Sequence, residues 1–288
     1  MNIEKLTLGT VQFGLTYGIN NSKGQTSREE VFRILDFAFQ KGILTLDTAP
    51  SYGVSELIIG EYLSKQQCNS FNIITKFSFI NGADCQSSLK ESLKRLSIQS
   101  IDTVLFHSFN DYLEHKNELK ELVTKSKGLS FCKIGVTVYA NDEIEILVND
   151  EMIEVVQVPF NLLDNDFLRG DSLKKLKEKG KEIHTRSPFL QGLFFMDAEN
   201  INPKFEPLIE QLLELKRLSS QYNLPINKIA LLYPLGKPYI DRVLFGVETL
   251  NQLMMNISNL NEKLPDELIH SIDSIKTINT KLLNPSTW

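Results

Sequence analysis

Three apolar runs in this chain each stop at an ionisable residue. Ile43–Leu46 precede Asp47, Ile73–Thr75 precede Lys76, and Thr103–Phe106 precede His107. Tyr52 follows just after Asp47. A free phenol titrates near ~10 and holds its proton too tightly for efficient acid catalysis at neutral pH. An ammonium against the phenolic oxygen favours the anion, and a carboxylate is needed to keep a buried lysine charged. An imidazole hydrogen-bonds a substrate oxygen and aligns it. Asp47, Tyr52, Lys76 and His107 together make a proton-donating site for a carbonyl, with the hydride source still to be supplied.

Such a site needs strands side by side. Eight short apolar runs fit: residues 6–10, 43–48, 71–77, 101–108, 131–139, 154–161, 181–189 and 242–248. Helical periodicity fills the intervals, which reads as repeated βα units on a parallel sheet. Ser27 and Glu30 have capping-box spacing, an apolar stripe of Val31, Leu35, Ala38 and Phe39 follows, and Gly42 stands where the helix should end. Asp47, Lys76, His107 and Thr137 recur at intervals of 29, 31 and 30 residues. The stretch between Ser187 and Gly246 must hold a long loop and two helices. Eight units fill the chain and no GxGxxG follows the first strand, so the expected fold is α/β, a (β/α)8 TIM barrel. Residues 1–288 are expected to form one domain, with an extra C-terminal helix followed by an extended tail. Active sites of such barrels lie at the C-terminal ends of the strands.

Bulk composition is consistent with this reading. The 288 residues are 42% hydrophobic, enough for one large core, and the net charge of −5 comes from interspersed acids and bases. Nucleic acid and anionic membranes are therefore not expected partners. No signal-like or membrane-spanning run appears, so a cytoplasmic protein is expected. Cys68, Cys85 and Cys132 suggest neither a disulfide framework nor a zinc site, and no metal is expected. GTVQFGLT (9–16) nearly matches a P-loop, but Leu15 stands where Lys is required, so tight packing is the expected use of its glycines.

The sequence resembles the aldo-keto reductase superfamily. The resemblance rests on LGTVQFG, LDTAPSYG, ITKF, SLKESLKRLSIQSID, LFHS, KIGVTVY, VQVPFNLLD, RSPFLQGLF and GVETLNQLMMN, and it covers essentially the whole chain. It implies Tyr52 as general acid, Lys76 lowering its pKa, Asp47 holding Lys76 and His107 orienting the carbonyl. It further implies an NAD(P)H-dependent oxidoreductase acting on a small carbonyl or sugar-like substrate, a monomer by family precedent. Thr10, Thr137 and Gln157 are placed near the cofactor, the carboxamide in the case of the last two. Ser187, Phe189 and Gln191, in the Ser187–Gln191 loop, lie over the pyrophosphate, and Arg186 stands at the nicotinamide-stacking position. Gly246, Glu248, Thr249, Gln252 and Asn256 belong to the adenosine end, with Thr249 capping a helix beside the phosphates.

Three positions depart from the family pattern. The aromatic residue that stacks on the nicotinamide is Arg186 here, and the usual Asn after the fifth-strand Thr is Val138. Where NADP-preferring members carry Lys or Arg, this chain has Gly246, Glu248 and Gln252. Glu248 repels a 2′-phosphate but can accept from a free ribose hydroxyl, so NADP, the family default, and NAD both stay open. Phe13 and Tyr17, after the first strand, are expected to line the substrate pocket. The loop SFNDYLEHKN after strand four is read as short, leaving the pocket open there. His115 and His270 are expected on the surface, His184 as a satisfied barrel residue, and Trp288 against the barrel wall rather than in the site. Two other functions stay open: a sugar- or nucleotide-sugar-modifying oxidoreductase that retains its nicotinamide cofactor, and a non-catalytic cofactor-binding regulatory subunit.

Overall fold

The computed structural model describes residues 3–66, 70–125, 130–197, 201–258, 260 and 262–288, so Cys68 lies outside the described residues. Eight parallel strands close on themselves in chain order: β1 (Leu6–Gly9), β2 (Thr45–Asp47), β3 (Asn72–Lys76), β4 (Ile101–Phe106), β5 (Phe131–Thr137), β6 (Val155–Pro159), β7 (Glu182–Arg186) and β8 (Arg242–Gly246). The seam is a full ladder, with Leu6 to Gly9 opposite Val243 to Gly246. Each of the eight expected strands is present, and the expected (β/α)8 barrel is the observed fold.

The helices follow the strands: α1 (Val11–Gly14), α2 (Arg28–Gln40), α3 (Ser55–Lys65), α4 (Cys85–Leu96), α5 (Phe109–Lys125), α6 (Asn141–Leu147), α7 (Asp166–Glu178), α8 (Ile209–Gln221), α9 (Ile226–Leu235), α10 (Leu250–Ile257) and α11 (Asp266–Asp273). Two helices and short 3-10 turns occupy the long interval between β7 and β8, as the spacing required. Ser27 caps α2 by accepting from the Glu30 amide, and Gly42 takes a left-handed φ of 84° after it. Glu30, however, does not complete a capping box. Its carboxylate accepts from the Leu250 amide at 2.7 Å, because the first residue of α10 carries an N–H with no partner inside its own helix.

Side-chain alternation explains why strands that look uniformly apolar build both a core and a site. Outward residues such as Leu8, Leu46, Ile73, Val104 and Val156 join the large core under the helices. Inward residues fall in tiers two positions apart. Ile74, Leu105 and Val155 form a separate small apolar cluster. Gly135 shares this tier because a Cβ there would lie 2.3 Å from the Val155 carbonyl oxygen. Asp47, Lys76, His107, Thr137, Gln157 and Arg186 stand one tier higher. Thr45, Lys133, Glu182 and Arg242 stand below.

Two expectations need correction. SFNDYLEHKN is mostly helix: α5 starts at Phe109, so only His107 and Ser108 separate it from β4. Ser108 Oγ accepts from the Asp111 amide at 3.1 Å, which starts the helix at once. The tail does not end extended. After α11 it forms 3-10 turns over Thr280–Leu283 and Pro285–Thr287, and Trp288 packs edge-on against Phe205 at 4.6 Å. Trp288 thus sits on the outer packing, as expected, while Pro285 reaches the rim of the barrel mouth. Among the described residues no helix is long and apolar enough to cross a membrane, and no acidic, His or Cys group has a metal-binding arrangement.

Candidate active site

The mouth at the strands' C-terminal ends opens into a cavity of about 560 Å³. Asp47, Tyr52, Lys76 and His107 all line it. Lys76 is held on two sides: its Nζ donates to Asp47 Oδ1 at 2.6 Å and to the Thr48 carbonyl at 2.9 Å. The other Asp47 oxygen accepts from Gln157 Nε2 at 2.8 Å. Both charged side chains are 1% exposed. Burial opposes charge on Lys76, but Asp47 and the Tyr52 phenol outweigh it and leave its pKa above the ordinary lysine value. Lys76 therefore stays charged.

Tyr52 meets this ammonium through its ring as well, with Lys76 Nζ 5.0 Å from the ring centroid. Burial pushes the phenol's pKa up and Asp47 adds to that, while Lys76 and Arg186 pull it down. The net direction is upward, so Tyr52 keeps its proton at neutral pH. The simple lowering by Lys76 expected from sequence is present and is overcome by desolvation. His107 lies beside Tyr52, ring centroids 6.1 Å apart and nearly perpendicular. Burial, and then the Lys76 charge, lower its pKa from 6.5 to about 4. It is thus a neutral imidazole at pH 7. Its Nδ1 lies 3.3 Å from Ser51 Oγ.

Close backbone packing fixes the loop that carries Tyr52. A Cβ on Gly14 would fall 1.8 Å from the Tyr52 carbonyl oxygen, and one on Gly53 would fall 2.5 Å from the Gly14 carbonyl oxygen. Gly53 also has φ of 58°, a conformation glycine adopts freely. The glycines of the near P-loop therefore serve packing, as expected. Ser55, the first residue of α3, donates to Thr10 and bonds to Thr48 as well. Thr10 in turn donates to the Asp47 carbonyl at 2.9 Å. Thr10 thus lines the wall but spends its hydroxyl bracing the catalytic loop. Ser55 does not look catalytic in the sequence, so sequence reasoning missed it.

The other residues singled out from sequence are mostly on the same wall. Thr137, Gln157, Arg186, Ser187, Phe189 and Gln191 line it, as do Gly246, Glu248, Gln252 and Asn256. Thr249 is not on the wall; its hydroxyl caps α10 by accepting from the Gln252 amide at 3.2 Å. Tyr17 lines the cavity and accepts from Gln191 Nε2 at 3.0 Å. Phe13 is a correction. It is fully buried in the core behind the wall, because α1 turns that face inward. Sequence reading also missed Tyr139, which lines the cavity beneath the Arg186 guanidinium, 4.1 Å from Cζ to ring centroid. Of the remaining histidines, His184 pairs with Glu182 at 2.8 Å, His270 is exposed, and His115 is partly covered by stacking on Phe79.

Known proteins are similar in sequence to this chain over most of its length. L-galactose dehydrogenase of Arabidopsis thaliana is 25% identical over 89% of this chain and 86% of its own length. Norsolorinic acid reductase B of Dothistroma septosporum is 24% identical over 95% and 78%. D-arabinose 1-dehydrogenase of Saccharomyces cerevisiae is 24% identical over 78% and 75%. The model of the aldo/keto reductase family matches residues 5–277. The chain belongs to the aldo/keto reductase family, whose members named here are oxidoreductases.

Proposed function

We propose that this protein interconverts a small aldehyde or ketone and its alcohol with a nicotinamide dinucleotide, using Tyr52 as the proton-transferring group. The observation that carries the reading is the buried Lys76–Asp47 pair at 2.6 Å set against the phenol of Tyr52 inside the one barrel mouth. The cavity suits the cofactor. Thr137 Oγ1 is buried there without a hydrogen-bond partner, a group that a carboxamide satisfies, and Gln157 stands beside it in register. Gly246 presents no side chain, and a Cβ there would collide with Gln12 at 2.7 Å. Thr137 and Gln157 would hold the nicotinamide end, and Glu248, Gln252 and Asn256 the adenosine end.

When bound, a reduced nicotinamide supplies a hydride to the carbonyl carbon. The chain's own residues do the rest. His107, neutral, hydrogen-bonds the carbonyl oxygen and sets it toward Tyr52. Tyr52 Oη gives its proton to that oxygen as the hydroxyl forms. Lys76 stabilises the phenolate left behind, and Asp47 with Gln157 keeps Lys76 charged and in place. In the reverse direction the phenolate takes the proton from the alcohol. We place the enzyme in the cytoplasm, acting as a single domain without metal or nucleic acid.

Titration of the purified protein with NADPH and with NADH, followed by nicotinamide fluorescence, tests this reading. Binding of either supports the cofactor role, and tighter NADH binding supports repulsion of a 2′-phosphate by Glu248. Tighter NADPH binding removes that argument, and binding of neither by folded protein overturns the reading.

A further inference from the structure

Among the cavity-lining residues the cationic side chains are Lys76 and Arg186. They differ in how they are satisfied. Lys76 is neutralised by Asp47, but Arg186 forms no ion pair among the described residues. Its guanidinium carbon lies over the Tyr139 ring, 4.1 Å from the centroid, its Nη2 reaches only the Val138 carbonyl at 3.4 Å, and its Nε is buried with no partner. A guanidinium has five N–H donors in a plane and keeps its charge. Stacking on Tyr139 occupies its face and leaves its edge for a ligand.

A second donor stands nearby. Tyr17, Tyr52 and His107 line the same cavity as Arg186. Burial pushes the Tyr17 phenol up to about 12, which keeps its proton on. Tyr17 Oη already accepts from Gln191, so its own O–H hydrogen is the group left to give. Lys76 is paired with Asp47, His107 is neutral, and the cavity's other carboxylate, Glu248, stands with the residues of the adenosine end, so Arg186 is the cation near Tyr52 that has no ion-pair partner among the described residues.

We infer that the substrate carries an oxyanion, a carboxylate or a phosphate, which the Arg186 edge and the Tyr17 hydroxyl hold while its carbonyl meets Tyr52 and His107. This rests on the carbonyl-reductase reading of the same cavity and names its substrate class. Planar guanidinium edges match the two oxygens of a carboxylate or phosphate in a way an ammonium does not.

Two matched pairs test it: butanal against 4-oxobutanoate, and glyceraldehyde against glyceraldehyde 3-phosphate. Each is assayed for kcat/KM with saturating reduced nicotinamide. At least one charged member is expected to exceed its neutral partner by about tenfold or more, the scale of a charge-assisted hydrogen bond. The pair that shows the preference identifies carboxylate or phosphate. Arg186→Gln collapses that ratio toward one, and Arg186→Lys restores part of it. Calorimetric titration with succinate and with inorganic phosphate, neither of them reducible by this chemistry, reads the anion site apart from turnover. The wild-type chain is expected to bind one of the two, and Arg186→Gln to lose it.

Turnover of the neutral compounds with no charged preference overturns the oxyanion site and leaves the reductase reading standing. Anion binding that depends on Arg186, with none of the four compounds turned over, keeps the site and overturns the reductase reading. If Arg186→Gln lowers charged and neutral substrates alike, or shows its loss as weakened NADH or NADPH binding, Arg186 serves the cofactor and the inference fails.

Discussion

At the lower end of the barrel bore, Glu182 accepts from Lys133, from His184 Nε2 at 2.8 Å and from Arg242 Nε at 3.4 Å. At the upper end, Asp47 accepts from Lys76 at 2.6 Å and Gln157 at 2.8 Å. Ile74, Leu105 and Val155 lie between the two. Both clusters neutralise a carboxylate at a strand end, and they differ in what borders them. Below, Arg242 continues to Thr45 Oγ1 at 2.8 Å, and the cluster borders a shallow, partly solvent-exposed recess lined by Glu182 and Arg242 with no phenol beside it. Above, Lys76 borders an ionisable phenol and an open cavity. An ion cluster with no proton-exchanging phenol beside it serves the fold. One that borders a group able to gain or lose a proton does chemistry. The upper end of such barrels is where catalysis is found, and the lower end is where stability is kept.

The sharpest break of this contrast is Tyr52→Phe. It should lower kcat/KM on the order of a thousandfold, the usual scale for removing a general acid, while the thermal midpoint stays near wild type. Equal activity would remove the catalytic role from the upper cluster. Next come the charge pairs. Asp47→Asn or Lys76→Met alone leaves one buried charge unpaired and should cost about 3–5 kcal/mol of stability. The double variant should recover most of that stability in denaturant melts and remain inactive. If the double variant regains activity, the upper pair is only structural.

Glu182→Gln should give the opposite profile, losing about 1–3 kcal/mol of stability with kcat/KM little changed. The sign with pH follows from Glu182's carboxyl pKa, which His184, followed by Lys133, holds well below the ordinary value. Its stabilisation is fully present above the unfolded carboxyl value near ~4.3 and is lost as pH falls toward the folded one. The gap between wild type and Glu182→Gln in urea midpoints should therefore be constant above about pH 5 and close on acidification.

The smallest effect is on His107. With its pKa near 4, kcat/KM should stay flat between neutrality and about pH 5 and fall below that. Because the folded value is depressed, the unfolded chain takes the proton first. His107 therefore favours unfolding increasingly as pH drops from 6.5 toward 4. A limb of the activity profile near pH 6.5 would place the imidazole in water.

Much of the upper end was legible in sequence because each of its ionisable residues terminates an apolar strand. Asp47, Lys76 and His107 needed only the period-two alternation and the thirty-residue spacing to be brought together. Thr137 continued the same spacing, whereas Gln157 and Arg186 were singled out by resemblance to the family. What stayed hidden depends on contacts across the fold. Phe13 has the composition of a pocket residue, and only the turn of α1 buries it. Glu30 has capping-box spacing, and only the approach of α10 diverts it. Tyr139 and Ser55 act through neighbours on other strands and loops, which local patterns do not specify. The lower cluster joins residues from β2, β5, β7 and β8, and no single run of sequence contains it.

The bond from Glu30 to the Leu250 amide, with the companion bond from Thr26 Oγ1 to the Glu248 carbonyl at 3.1 Å, spans more than 200 residues of chain. Most other contacts in the barrel join one repeat to the next and are available as soon as two neighbours exist. This pair forms only when the two ends of the chain meet. Distant contacts are slow to form because the intervening loop must be closed first. The wall beside Glu248 is therefore completed at ring closure, among the last parts of the molecule to take shape on refolding. A ligand that grips that wall binds the closed ring alone, so its binding also latches the barrel shut.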